Sequence, residues 1–226
     1  MTGPGLERTE PDGPSRGVVL MLHGGAKTGT QPVGGRSGSY WRSRRMRDEI
    51  ADAVLSAGHS LWLLRFAVRG WNAARSAEPS PLADVRWALA QADEHHPGRL
   101  VALLGHSMGA RAAVHVADHP SVAGVVALAP WWEPSDPVQP LAGRHLVAAH
   151  GSRDRITSAR MTRAYVERAR PVATSSEFVD VGPLGHYLLR SPETWNAFAL
   201  ESVLQVLDRQ GRRDFPVGGE GHRPGS

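Results

Sequence analysis

Six short runs of mainly apolar residues punctuate the chain: GVVLML (17–22), SLWLLRF (60–66), RLVALLG (99–105), VAGVVALA (122–129), RHLVAAH (144–150) and SEFVDV (176–181). They read as strands apolar on both faces, as a strand sandwiched between two helix layers must be. Between them the apolar period lengthens. Met46, Ile50 and Val54 recur at helical spacing, as do Leu82, Val85 and Leu89. The last helix is marked most clearly: Ser191 as N-cap, Pro192 at the first position, Leu200, Val203, Leu204 and Leu207 on one face, and a stop at Gly211. Strands alternating with helices predict βαβ units. The expected fold is α/β, a doubly wound, mostly parallel sheet of about six strands with helices on both faces. No internal repeat is visible.

The 226 residues, 41% of them hydrophobic, suit one core and are short for two. Residues 1–15 are polar and rich in Gly and Pro, and the stretch from 212 to 226 has the same loose composition. Both are expected to be disordered, leaving one domain over 16–211. The start has no signal-peptide apolar core, and no run approaches the roughly 18 apolar residues of a membrane span, so a soluble, cytoplasmic protein without a membrane partner is expected.

The formal charge of +4 raises the question of nucleic acid. The basic residues are almost all arginine, spread along the chain with one denser patch at Arg36, Arg42, Arg44, Arg45 and Arg47. Asp48, Glu49 and Asp52 follow at once, which reads as the solvated end of an amphipathic helix, and no nucleic-acid partner is expected. The chain has no cysteine, which excludes disulfides, thiol nucleophiles and thiolate metal sites.

Three places carry candidate chemistry. The first strand runs into HGGAKTGT, a glycine loop with a lysine and a threonine that resembles a phosphate cradle at first glance. A P-loop needs a glycine directly before the lysine and another five residues earlier; Ala26 stands before Lys27 and the earlier glycine is missing too. The third strand leads into GHSMG, so Gly105, Ser107 and Gly109 fit G-x-S-x-G between a buried strand and an Ala-rich helix. A sharp strand-to-helix turn needs small residues beside the serine, and the new helix points its first N–H groups at any negative charge formed there. A serine hydroxyl needs a base, and the base an orienting carboxylate. Asp154, in HGSRDRIT after the fifth strand, and His186, in VGPLGHYLL after the sixth, stand in loops at strand carboxyl ends. Asp180 and Asp136 are rival carboxylates for the histidine, and Asp154 has an alternative use as a helix cap. His115 and His119 have the i, i+4 spacing of metal ligands but lack the glutamate of H-E-x-x-H and run into Pro120, so a surface pair is expected and no metal or other cofactor.

The order Ser, Asp, His, each after its own strand, resembles the α/β-hydrolases over roughly Gly17 to Gly211. The resemblance implies Ser107 as nucleophile, His186 as general base and acid, and Asp154 as orienting carboxylate. It also implies an oxyanion hole from the backbone N–H of Met108 and one from the loop after the first strand, assigned to Gly25 with Ala26 as the alternative, since His23-Gly24-Gly25 matches the family's usual ending of that strand. The family usually has two further strands before this one, and many members insert a helical lid where this chain has only PWWEPSDPVQPLAG. A minimal, lidless member with an open site is therefore expected. Trp131, Trp132 and Trp71 follow strand ends and are candidates to line the substrate pocket or to close the core over the loops. The implied activity is hydrolysis of small-molecule carboxylic esters or thioesters. The same residues also serve amidases, peptidases, acyltransferases and perhydrolases, and a non-catalytic binding module is the reading from another class. A serine at 107 argues against relatives with an aspartate or cysteine nucleophile.

Overall fold

A computed structural model describes residues 3–73 and 78–214. In chain order the elements are β1 (Gly5–Thr9), β2 (Gly17–Leu22), α1 (Gly38–Ser56), β3 (Ser60–Arg65), α2 (Ser80–His95), β4 (Leu100–His106), α3 (Met108–His115), β5 (Val122–Leu128), a 3-10 turn (Gln139–Leu141), β6 (His145–His150), α4 (Ala159–Ala169), β7 (Ser175–Asp180) and α5 (Pro192–Asp214). The strands form one sheet in the order β1-β3-β2-β4-β5-β6-β7, parallel throughout except for β1. Helices cover it, α1 packing with α5 and α2 with α3. β2, β5 and β6 are buried at every residue, as their unbroken apolar runs require. β7 is partly exposed along its length, because as the last strand it has a neighbour on one side only.

The structure corrects the reading of the N-terminal segment. Residues 5–9, expected to be disordered, form an antiparallel edge strand paired Gly5 to Arg65 through Thr9 to Leu61. The sheet thus has seven strands and starts well before residue 16. An edge strand needs only one hydrogen-bonded neighbour, and β1's polar side chains find partners outside the core. Glu7 accepts from the Tyr40 hydroxyl at 2.5 Å and meets Arg44 and Arg47, and the Arg8 guanidinium lies 4.6 Å over the Trp62 ring. At the other end, α5 begins at Pro192 as expected but passes through Gly211 to Asp214. One glycine costs a helix about 1 kcal/mol, little against the packing of a 23-residue helix. The rest of the expected tail, 215–226, lies outside the described residues. No described helix is long and apolar enough to cross a membrane.

Candidate active site

The carboxyl ends of the parallel strands lie along one edge of the sheet, and four of them deliver the candidate residues there. Ser107 sits between β4 and α3 at φ 53 and ψ −114, a backbone conformation costly for a residue with a side chain. The turn is possible because glycines stand two residues away on either side, where no side chain would fit. A Cβ on Gly105 would lie 2.5 Å from Ala110 Cα, and one on Gly109 would lie 2.2 Å from the Leu22 carbonyl oxygen. Hydrogen bonds from Ser107 N–H to the Leu128 carbonyl and from Trp131 N–H to the Ser107 carbonyl hold the strained residue between its neighbours.

His186 and Asp154 meet Ser107 across 79 and 47 positions of chain. Ser107 Oγ donates to His186 Nε2 at 3.1 Å, and His186 Nδ1 donates to Asp154 Oδ2 at 2.8 Å. The rival carboxylates are engaged elsewhere: Asp136 accepts from Arg111 at 2.8 Å, and Asp180 accepts from Gly182 N–H. Asp154 also receives Thr157 Oγ1, the backbone N–H groups of Ile156 and Thr157, and His150 Nε2 at 3.1 Å. Burial alone would raise its pKa; the bonds from His150, His186 and the two backbone amides outweigh burial and hold it well below the ordinary aspartate value. The chain can therefore pass a proton from hydroxyl to imidazole while the carboxylate stays ionised.

His150 and Thr157 were not among the residues singled out from sequence. The signal was a histidine closing β6 four residues before the aspartate. His106 was missed as well. Its Nε2 donates to the His186 carbonyl at 2.9 Å, tying the loop after β7 to the residue before the serine, and its ring lies 5.0 Å from that of His186. His115 and His119 serve different partners, Asp136 and Asp93.

The HGG loop closes on the same turn. His23 Nδ1 donates to the Gly24 carbonyl at 2.6 Å, and its Nε2 accepts from Phe66 N–H. In a trans peptide the next N–H points opposite to the carbonyl, so that bond directs the Gly25 N–H away from His23. Ala26 N–H is already committed to the Arg69 carbonyl at 3.0 Å. Met108 opens α3, where an N–H has no intrahelical acceptor. A Cβ on Gly24 would lie 3.4 Å from that of Ser107, and one on Gly25 would lie 2.3 Å from Met108 Cε, so the loop lies directly against the serine turn.

The sequence model of the Alpha/beta hydrolase family matches residues 19–218. The chain belongs to that family. It is an enzyme of the hydrolase class, on a fold shared with many solved serine hydrolases and esterases. A serine hydrolase homologue from Coxiella burnetii superposes at TM-score 0.65 with 15% identity, covering 90% of this chain and 95% of that one. A serine hydrolase without a lid from Xanthomonas campestris does so at 0.58 with 16% identity, over 95% and 91%. Esterase 2 of Thermogutta terrifontis, in its form phosphorylated by paraoxon, does so at 0.67 with 14% identity, over 91% and 89%. No curated protein matches the chain in sequence.

In this hydrolase a cavity of about 800 Å³ opens on Ser107 and His186, lined also by Gly24, Gly25 and the start of α1. None of the three candidate tryptophans lines it, which corrects the pocket reading. Trp132 is buried against Tyr165, ring centroids 4.2 Å apart, with its Nε1 donating to the Ala110 carbonyl. Trp71 and Trp131 clamp the Arg111 guanidinium, 4.7 and 4.5 Å from their rings. Trp71 and Trp132 are buried and Trp131 is partly so, all three packed on the core beneath the loops.

Proposed function

We propose that this hydrolase cleaves carboxylic ester or thioester bonds of small or solvent-exposed substrates through an acyl-enzyme on Ser107. His186 Nε2 takes the Ser107 proton as Oγ attacks the carbonyl carbon, and the oxyanion of the tetrahedral intermediate accepts from the Met108 and Gly25 N–H groups. Collapse expels the alcohol or thiol, which leaves with the proton held by His186. Water then attacks the acyl group, giving its proton to His186, and the acid departs as Ser107 regains its hydrogen. Asp154 keeps the imidazole in the tautomer that leaves Nε2 bare and stabilises the imidazolium while it lasts.

The observation that carries this reading is the unbroken hydrogen-bond line from Asp154 through His186 to Ser107, at 2.8 and 3.1 Å. The commitment of Ala26 N–H to Arg69 favours Gly25 as the second donor. A fluorophosphonate probe and p-nitrophenyl acetate test it together. Ser107→Ala is expected to abolish labelling and lower kcat by at least about a thousandfold, and Asp154→Asn to lower kcat by a similar order with the fold intact. Labelling or turnover that survives Ser107→Ala would sink the assignment.

A further inference from the structure

The arginine patch at the start of α1 divides in the fold. Arg44 and Arg47 turn to Glu7 of β1, Arg47 also meets Asp48, and Arg45 meets Glu49. Arg36 and Arg42 instead line the cavity that opens on Ser107, joined by Arg69 from the loop after β3. No carboxylate is among the residues lining that cavity, and among the described residues none of these three guanidinium groups is in an ion pair.

Arg42 is the most informative of the three. It is half-buried, its Nε is shut off from water without an acceptor, and its guanidinium lies 4.9 Å over the Tyr187 ring at the cavity wall. With Nε closed off, the terminal N–H groups of this half-buried guanidinium are the donors a ligand in the cavity would meet. Ser37, Gly38 and Ser39, at the N-terminus of the 19-residue α1, line the same cavity, and Ser37 makes no side-chain cap to the first turn. The helix end thus adds positive potential where the arginines already supply it.

We propose that the substrate of this hydrolase carries an anionic oxygen group, a carboxylate or a phosphate, which Arg42 binds with help from Arg36 and Arg69 while the scissile bond lies at Ser107. This rests on the reading of Ser107 as the nucleophile. A planar guanidinium presents paired donors to such a group, and Arg42, although Glu49 and Glu193 line a neighbouring cavity with it, forms an ion pair with neither, which leaves its donors free.

The test compares mono-p-nitrophenyl glutarate, which bears a free carboxylate, with the same ester capped by a methyl group. The wild-type enzyme is expected to prefer the charged ester by about ten- to a hundredfold in kcat/KM, the preference shrinking as salt is raised. Arg42→Ala should bring the two esters to within about twofold of each other, and Arg42→Lys should recover part of the preference. Arg44→Ala, which loses only a bond to Glu7, should keep it. The exposed Arg69→Ala gives the same comparison, with a smaller loss, if Arg42→Ala does not fold. Equal kcat/KM for the two esters, or a preference untouched by Arg42→Ala and Arg69→Ala, overturns the anion site while leaving a Ser107 hydrolase standing. A second arm titrates Ser107→Ala with glutarate and, separately, with inorganic phosphate. Binding of either that is lost in Ser107→Ala/Arg42→Ala supports the anion site even if neither ester is turned over, and names the anion; binding of neither overturns it.

Discussion

His23 and His106 show how much of this site's order depends on imidazoles kept neutral. Burial is the first cause in both, bringing His23 down to about 4 and His106 down to about 3, the latter with the neighbouring His186 acting in the same direction. The unfolded chain takes up these protons near pH 6.5 and the folded protein does not. Their contribution to stability is therefore complete above pH 6.5 and is lost as pH falls toward 4 and below, on the order of 3 kcal/mol for each. Asp154, depressed below its ordinary 3.8, adds a loss of the same sign at still lower pH. Thermal melts should show Tm falling from about pH 6.5 downward, before carboxylates titrate. His106→Gln, whose amide can still donate to the His186 carbonyl, should flatten that limb; an unchanged slope would remove His106 as its cause. At this scale Ser107, Asp154 and His186 were legible because each sits in a recognisable turn after its own strand. His106 was not, because its meaning is a bond to a carbonyl 80 residues away.

Two short elements, the HGG loop and the turn at Ser107, are fitted to each other with no room for a methyl group. On Gly25 a Cβ would meet the flexible end of Met108 at 2.3 Å, which can move, and the Arg69 carbonyl at 2.6 Å, which cannot without displacing the loop. Gly25→Ala is thus expected to shift the donor proposed for the oxyanion and to cut kcat about a hundredfold, with KM and Tm changed far less. Steady-state kinetics beside a thermal melt check this, and a loss seen mainly in Tm would make the glycine structural only. The edge strand β1 teaches a different lesson about elements. Its sequence, GLERT, lacks the apolar run by which the inner strands announce themselves, since one neighbour and a set of ion pairs suffice to hold it. The arginines at the start of α1 form one patch in sequence, whereas the fold turns Arg44 and Arg47 to β1 and Arg36 and Arg42 to the cavity.

On the scale of the molecule, the connection between β5 and β6 contains a single 3-10 turn, Gln139–Leu141, and no helical cap. A cap that opens at a lipid surface makes the rate jump when an ester passes its solubility limit. Without one, the velocity on tributyrin should rise hyperbolically through that limit, and a sharp rise at the onset of emulsion would contradict the open site. The alternation of buried runs and helical periods was enough to determine the α/β class, the six runs that form β2 to β7 and the three turns carrying Ser107, Asp154 and His186, because backbone hydrogen bonding and burial act on local pattern. Tertiary structure alone decided where side chains from distant segments meet: Trp71 and Trp131 went under the loops to hold Arg111, His150 joined His186 on Asp154, and Arg36, Arg42 and Arg69 came to line the cavity that opens on the serine. Those outcomes depend on which charges and cavities the packed sheet brings within a few ångströms, a quantity that no single stretch of sequence contains.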